Sequence, residues 1–145
     1  MWRSSNSQDL EGNAAQPITP EGFAGTRISP DGKYLSAVDD DGRIWIYPVE
    51  GGSPTDLKAA EKGETPVGWS DDGQALYVAR CDYLPVRVYR INRITGRHEL
   101  LRELAPADPA GVIPDISYVF ATPNGSTFVY SYFRLQSDLY IAEAK

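Results

Sequence analysis

An all-β fold of repeated four-stranded sheets is the class this sequence predicts, and three observations predict it. A phrase of strand, tight turn and strand occurs three times, over Ile28–Val38, Trp69–Ala79 and Ala121–Ser131. The turn glycines Gly32, Gly73 and Gly125 stand 41 and 52 residues apart, the repeat length of propellers and solenoids. A further strand follows each turn in register, so that Tyr47, Tyr89 and Tyr140 lie 15, 16 and 15 residues after their glycines.

Each turn reads Ser or Thr, then Pro or Asp, then Asp or Asn, then Gly. Pro presets φ, Asp and Asn bond back to the local backbone, and Gly takes positive φ without steric cost. The flanks are rich in Ile, Leu, Val, Tyr, Phe and Trp, which suit strands. Third strands are expected at Ile44–Val49, Val86–Ile91 and Ser137–Ala142, and fourth strands at Thr55–Lys58 and His98–Leu101. Four short antiparallel strands per repeat describe the blade of a β-propeller. Leu35, Leu76 and Phe128 share one strand face with Ala37, Val78 and Tyr130. The opposite faces are also partly apolar, as in blades sandwiched between neighbours.

Taken in order, residues 1–8 are polar and read as a disordered tail. Leu10–Ile18 then lines up with Val49–Leu57 at a constant offset of 39, so residues 9–19 read as a remnant of an earlier blade. Blades are expected over 25–58, 66–104 and 117–143, giving about three blades plus the remnant. Residues 105–116, with three prolines and a glycine, form the longest connection and argue against a helix or central strand. A partial propeller spans 9–145 on this reading. Its end blades are expected to leave apolar faces open and to promote self-association.

Composition narrows the function. A net charge of −6 and a pI near 4.7 argue against nucleic acid, whose binders are basic. No apolar run reaches the length of a membrane span, and the first residues lack the apolar core of a signal peptide. The lone Cys81 permits no internal disulfide and reads as a small hydrophobe. Asp39-Asp40-Asp41-Gly42 resembles part of a calcium loop, but Pro48 stands where the bidentate acid belongs, so it reads as a hairpin turn. His98 reads as a polar residue of an exposed outer strand, and no Gly-x-Ser-x-Gly elbow or metal cluster accompanies it. No catalytic residue, metal or cofactor is assigned. Eight tyrosines on or beside strands fit packing between blades with the hydroxyl at a wet edge. Tyr83, Arg87 and Arg134, in or near the longer hairpin loops, are the candidates for partner contact.

Ser29-Pro30-Asp31-Gly32-Lys33 and Ile44-Trp45-Ile46-Tyr47 resemble the TolB-type, WD40-like propeller repeat. With Trp45–Gly52, Val88–Arg90, Glu103–Val112 and Tyr130 to Tyr140, roughly residues 10–143 resemble more closely the C-terminal propeller of acidobacterial eukaryotic-like serine/threonine protein kinases. That resemblance implies a sensing or binding segment, extracytoplasmic and beyond a membrane helix, without the kinase motifs. The expected function is a non-catalytic binding scaffold for a protein, peptide or small molecule, at the top surface or central channel. Two alternatives stand beside it: a TolB-like periplasmic interaction protein, and the gating propeller of a prolyl-oligopeptidase-like hydrolase.

Overall fold

The computed structural model of the chain describes residues 4–8, 11, 12, 14–139 and 141, without the side chains of 114–117. Among them lie strands β1 (Asn6–Ser7), β2 (Gln16–Pro17), β3 (Ala24–Ile28), β4 (Tyr34–Val38), β5 (Ile44–Pro48) and β6 (Thr55–Asp56). They continue with β7 (Glu64–Trp69), β8 (Ala75–Arg80), β9 (Val86–Asn92), β10 (His98–Leu104), β11 (Val112–Ala121) and β12 (Phe128–Arg134), and no helix. β3–β6 form one four-stranded antiparallel meander and β7–β10 a second. β1–β2 and β11–β12 are two-stranded sheets at either end of the series. The architecture is that of a partial β-propeller.

The three repeated turns have one hydrogen-bond design. In the first, the Ser29 hydroxyl donates to Asp31 Oδ1 (2.6 Å) and accepts from the Tyr34 amide (3.0 Å), while the Lys33 amide donates to the same Asp31 oxygen (3.1 Å). Ser70, Asp72, Ala75 and Gln74 repeat this at 2.6, 2.8 and 3.0 Å. Thr122, Asn124, Thr127 and Ser126 repeat it at 2.6, 3.1 and 3.1 Å. The following glycine closes each turn with φ of 73°, 64° and 66°, which a side chain would strain. The bond from the Ser29 hydroxyl lowers the Asp31 pKa, and that from Ser70 lowers the Asp72 pKa.

Packing between sheets explains why both faces of each strand are apolar. One core joins Ile44, Ile46 and Leu57 of the β3–β6 sheet and its linker to Trp69, Leu76, Val78 and Ile91 of the β7–β10 sheet. A second joins Val67, Tyr77, Ala79, Val86 and Val88 to Val119, Phe128 and Tyr130. A third covers the other face of the first sheet, with Leu35, Ala37 and Tyr47 against Ile18 and Phe23. Leu35, Leu76 and Phe128 therefore do share a face, the one turned to the preceding sheet. Tyr34 and Tyr77 face the following sheet, and the Tyr77 hydroxyl bonds the Pro123 carbonyl at 3.1 Å.

The first strands of successive sheets meet at the axis, where β7 packs against both β3 and β11. The Trp69 indole, 2% exposed, donates to the Arg27 carbonyl at 2.9 Å. Gly68 permits the closest approach: a Cβ there would lie 2.8 Å from the Ala121 carbonyl oxygen and 3.2 Å from its Cβ. In each meander the first-to-second and third-to-fourth turns lie at one end. The second-to-third loops and the linkers between sheets lie at the other. These two ends become the turn rim and the loop rim of the propeller.

Four details differ from the sequence reading. Asn6 and Ser7, within the expected disordered tail, pair with Pro17 and Gln16, and the Ser5 amide donates to Thr19 Oγ1 at 2.9 Å. A polar stretch is ordered there because short backbone pairing needs no apolar side chain. β11 begins at Val112, inside the expected connection, and Pro114 falls where the ladder is interrupted between Ile113 and Tyr118. A proline is tolerated where no ladder bond is required. The expected third strand at Ser137–Ala142 is not formed at 137–139 or 141, while Tyr140 and Ala142 lie outside the described residues. Leu139 and Ile141 are 91% and 87% exposed there. Within the expected remnant at 9–19 the described strand is Gln16–Pro17, and Asp9, Leu10 and Asn13 lie outside the described residues.

Two predictions test this packing. Gly68→Val forces β7 away from β11 and should lower the urea midpoint. Ser70→Ala removes both the Ala75 and Asp72 contacts and should cost about 1–3 kcal/mol in chemical denaturation, the scale of a buried polar group losing its partners.

Candidate binding surfaces on the loop rim and the axis

The β8–β9 loop, Cys81–Pro85, is the second-to-third connection of its meander, no longer than Asp39–Arg43 in the first, and it builds a concavity on the loop rim. Arg80, Asp82, Tyr83, Leu84, Pro85 and Arg87 line a cavity of about 180 Å³. Its wall is mainly apolar, with Tyr83, Leu84 and Pro85 among the lining side chains. Tyr83 is 72% exposed, so its ring is open to a ligand. At the base, Arg80 donates to Glu61 Oε2 at 3.1 Å and to the Lys62 carbonyl at 3.0 Å, while its Nε is buried without a partner. Arg87 donates to Glu103 Oε1 at 3.0 Å across adjacent strands, and that bond raises its pKa. The site thus offers an aromatic face, an apolar floor and two anchored cations. Burial raises the Cys81 pKa, which makes this thiol a poor nucleophile.

Two of the three residues singled out from sequence therefore meet: Tyr83 and Arg87 line one cavity. Arg134 does not join them. It bonds Asp108 Oδ2 at 3.2 Å and the Asp108 carbonyl at 2.6 Å, beside a separate open depression lined by Ala110, Gly111 and residues 135–138. Both places lie on the loop rim, because the end of β12 and the end of β8 are equivalent positions in their sheets.

The axis carries a cation that sequence gave no reason to select. Arg27 on β3 lies over the Phe120 ring of β11, 4.7 Å from its centroid. Burial lowers its pKa. Its Nη1 donates to the Thr26 carbonyl at 2.7 Å, its Nε is buried without a partner, and it forms no ion pair among the described residues. The pairing across three sheets has no signal in a local stretch of sequence.

His98 is not an exposed outer-strand residue. Its Nε2 lies 3.1 Å from Glu64 Oε1, its ring packs 4.8 Å from Tyr89, and only 20% of its side chain is exposed. Glu64 is 1% exposed, and its other oxygen accepts the Glu61 amide at 2.8 Å. Glu64 and His98 open β7 and β10, diagonal corners that sheet twist curls towards each other. The pair holds the β6–β7 linker against the second sheet. Asp39, first of the acidic turn, is also fully occupied. Burial opposes its ionisation, but the Arg43 amide, the Trp45 indole (2.8 Å) and the Asp41 amide outweigh this and lower its pKa. Among the described residues no group of three His, Cys, Asp or Glu side chains could hold a metal.

Desolvation raises the Glu64 pKa above its ordinary 4.5. A raised carboxyl pKa means the fold prefers the protonated form. This contribution to stability is therefore full below about 4.5 and is lost as pH rises through the folded value. The stability advantage of the native chain over Glu64→Gln should shrink over that window, measured by urea midpoints from pH 4 to 7.

No protein-family model and no curated protein matches the chain. Solved structures do. TolB from Acinetobacter baumannii superposes with a TM-score of 0.63 at 16% identity, over 88% of this chain and 31% of TolB. The β-propeller domain of the Trilobed protease from Pyrococcus furiosus, reported to have an open velcro topology, gives 0.53 at 20% identity, over 77% and 37%. Oligogalacturonate lyase from Vibrio parahaemolyticus gives 0.59 at 14% identity, over 91% and 53%. At such identities the likeness is one of fold, a TolB-like propeller, and the chain spans about a third to a half of these proteins.

Proposed function

We propose that this chain is a non-catalytic binding scaffold whose ligand, a peptide or a short exposed protein segment, docks on the loop rim at the β8–β9 cavity. The observation that carries this reading is the cavity itself: an exposed Tyr83 ring over an apolar floor, with Arg80 and Arg87 fixed by Glu61 and Glu103. Aromatic and arginine anchors around a small apolar recess are what peptide recognition uses. Loops on a rigid β scaffold are where such sites collect. The acidic chain repels nucleic acid and presents its cations locally instead. In its parent the segment would act as the C-terminal sensing propeller of a receptor-like serine/threonine kinase, as its repeat phrases suggest. The likeness to TolB supports equally a second reading, a periplasmic propeller that binds a protein partner. Similarity to a protease propeller domain keeps the hydrolase-gating alternative in play.

Peptides selected from a displayed random library on the immobilised chain should lose at least tenfold in affinity with Tyr83→Ala or Arg87→Ala, about 1.4 kcal/mol or more. Arg134→Ala should leave binding unchanged. Equal binding by all three variants would remove the cavity from the site. Sequence flanking the coding region then separates the parents. An upstream kinase domain with a membrane helix supports the sensor, a signal peptide supports the TolB-like reading, and a downstream Gly-x-Ser-x-Gly domain supports the hydrolase.

A further inference from the structure

The β8–β9 cavity has a neighbour on the same rim. The β4–β5 loop of the first sheet and the linker from β6 to β7 enclose a second cavity, of about 370 Å³. Ile44 and Leu57, both buried, contribute its apolar part. Its charged lining is Asp41, Arg43, Asp56, Lys58 and Lys62. Both cavities are built wholly from the two four-stranded sheets and the linker that joins them.

One ridge separates the two cavities. Arg80 lines the apolar one and donates to Glu61 Oε2 and the Lys62 carbonyl, while Lys62 lines the charged one. The ridge is held from within. Buried Glu64 accepts the Glu61 amide at 2.8 Å, and its own amide donates to the Glu61 carbonyl at 3.1 Å, which closes a turn over 61–64. A ligand extended along the rim from Tyr83 and Leu84 thus passes over Arg80 to Lys62 and into the second cavity.

The charges already spent decide the sign of that ligand. Arg43 lies 3.7 Å from Asp41, Arg80 is bonded to Glu61, and Arg87 is bonded to Glu103. Lys58 and Lys62 are exposed and form no ion pair among the described residues. Five cations and three acids line the two cavities together, a net +2 on a chain of net −6. Glu61 and Glu103 line neither cavity. The rim is therefore a local positive field on an acidic protein. An ammonium on a long flexible stem meets a carboxylate without demanding one geometry.

We propose that the charged cavity is the second half of the peptide site and that the ligand carries Asp or Glu residues beside an apolar or aromatic anchor. This rests on the loop-rim reading above: the Tyr83 side holds the anchor, and Lys58 and Lys62 receive the carboxylates. Complementary charge beside an apolar anchor sets the direction of the bound chain and disfavours basic competitors.

The test uses the full chain and peptides selected on it from a displayed random library. Selected peptides should be enriched in Asp and Glu on one side of their anchor, relative to the input library. The tightest is then synthesised as selected and with its acids changed to Asn or Gln. Lys58→Gln with Lys62→Gln should weaken the acidic peptide about three- to tenfold, the scale of a few exposed ion pairs, and leave the amide peptide unchanged. Added NaCl should weaken the acidic peptide alone, because salt screens exposed charges beyond about 8–10 Å. Tyr83→Ala should weaken both peptides. If it does so while the lysine variant binds both like the native chain, the acidic preference is overturned and the rim site stands. Selected peptides without acid enrichment, or equal affinity for the acidic and amide forms, overturn it in the same way. Failure to select any peptide, or binding indifferent to Tyr83→Ala, removes the rim site and this inference with it.

Discussion

Both four-stranded sheets in this protein are covered on two faces at once, and that constraint shapes the rest. A propeller blade has no wet side except at its rims, so alternate residues of each strand serve opposite neighbours. Leu76 and Val78 look back to Ile44 and Ile46, while Tyr77 and Ala79 look forward to Val119. Trp69 is the point at which this packing reaches the axis. Its ring fills the core between the two full sheets, and its indole N–H reaches the Arg27 carbonyl of the preceding one. Gly68, next to it, has no side chain because the backbone at Ala121 occupies that space. One tryptophan and one glycine thus set how closely three sheets converge.

The turns contribute order of a different kind. Their Ser or Thr hydroxyl and Asp or Asn carboxyl or amide satisfy each other and the turn amides, so the strand pairs begin in fixed register. This spares the axis and the loop rim from any part in register. The β8–β9 loop is free to differ in composition from its counterpart of equal length at Asp39–Arg43, and it is there that an apolar recess with anchored arginines forms. Asp39 shows the contrast: its carboxylate is used up by local donors and holds nothing else.

The repeated architecture was legible from residue order because its signals are short-range. Strand alternation, the turn quartets and the 39-residue echo of Leu10–Ile18 in Val49–Leu57 all lie within about fifty residues, and each reflects a local backbone preference. Tyr83 and Arg87 were also within reach, since the β8–β9 loop carries one and the start of β9 carries the other, four residues on. Arg134 was grouped with them for the same local reason, and its Asp108 partner separates it.

What only the tertiary structure decided is which distant residues meet. Nothing in the neighbourhood of Glu64 announces His98, 34 positions away, or turns an apparent outer-strand histidine into half of a buried pair. Nothing near Arg27 announces Phe120. The sequence by itself determined the strands, their turns and the direction each side chain takes from a sheet, because backbone sterics and period-two alternation act over a few residues. The convergence of three sheets decided the axial cation and the buried carboxylate, because those depend on how separate strands and sheets are placed, and a strand carries no record of its neighbour.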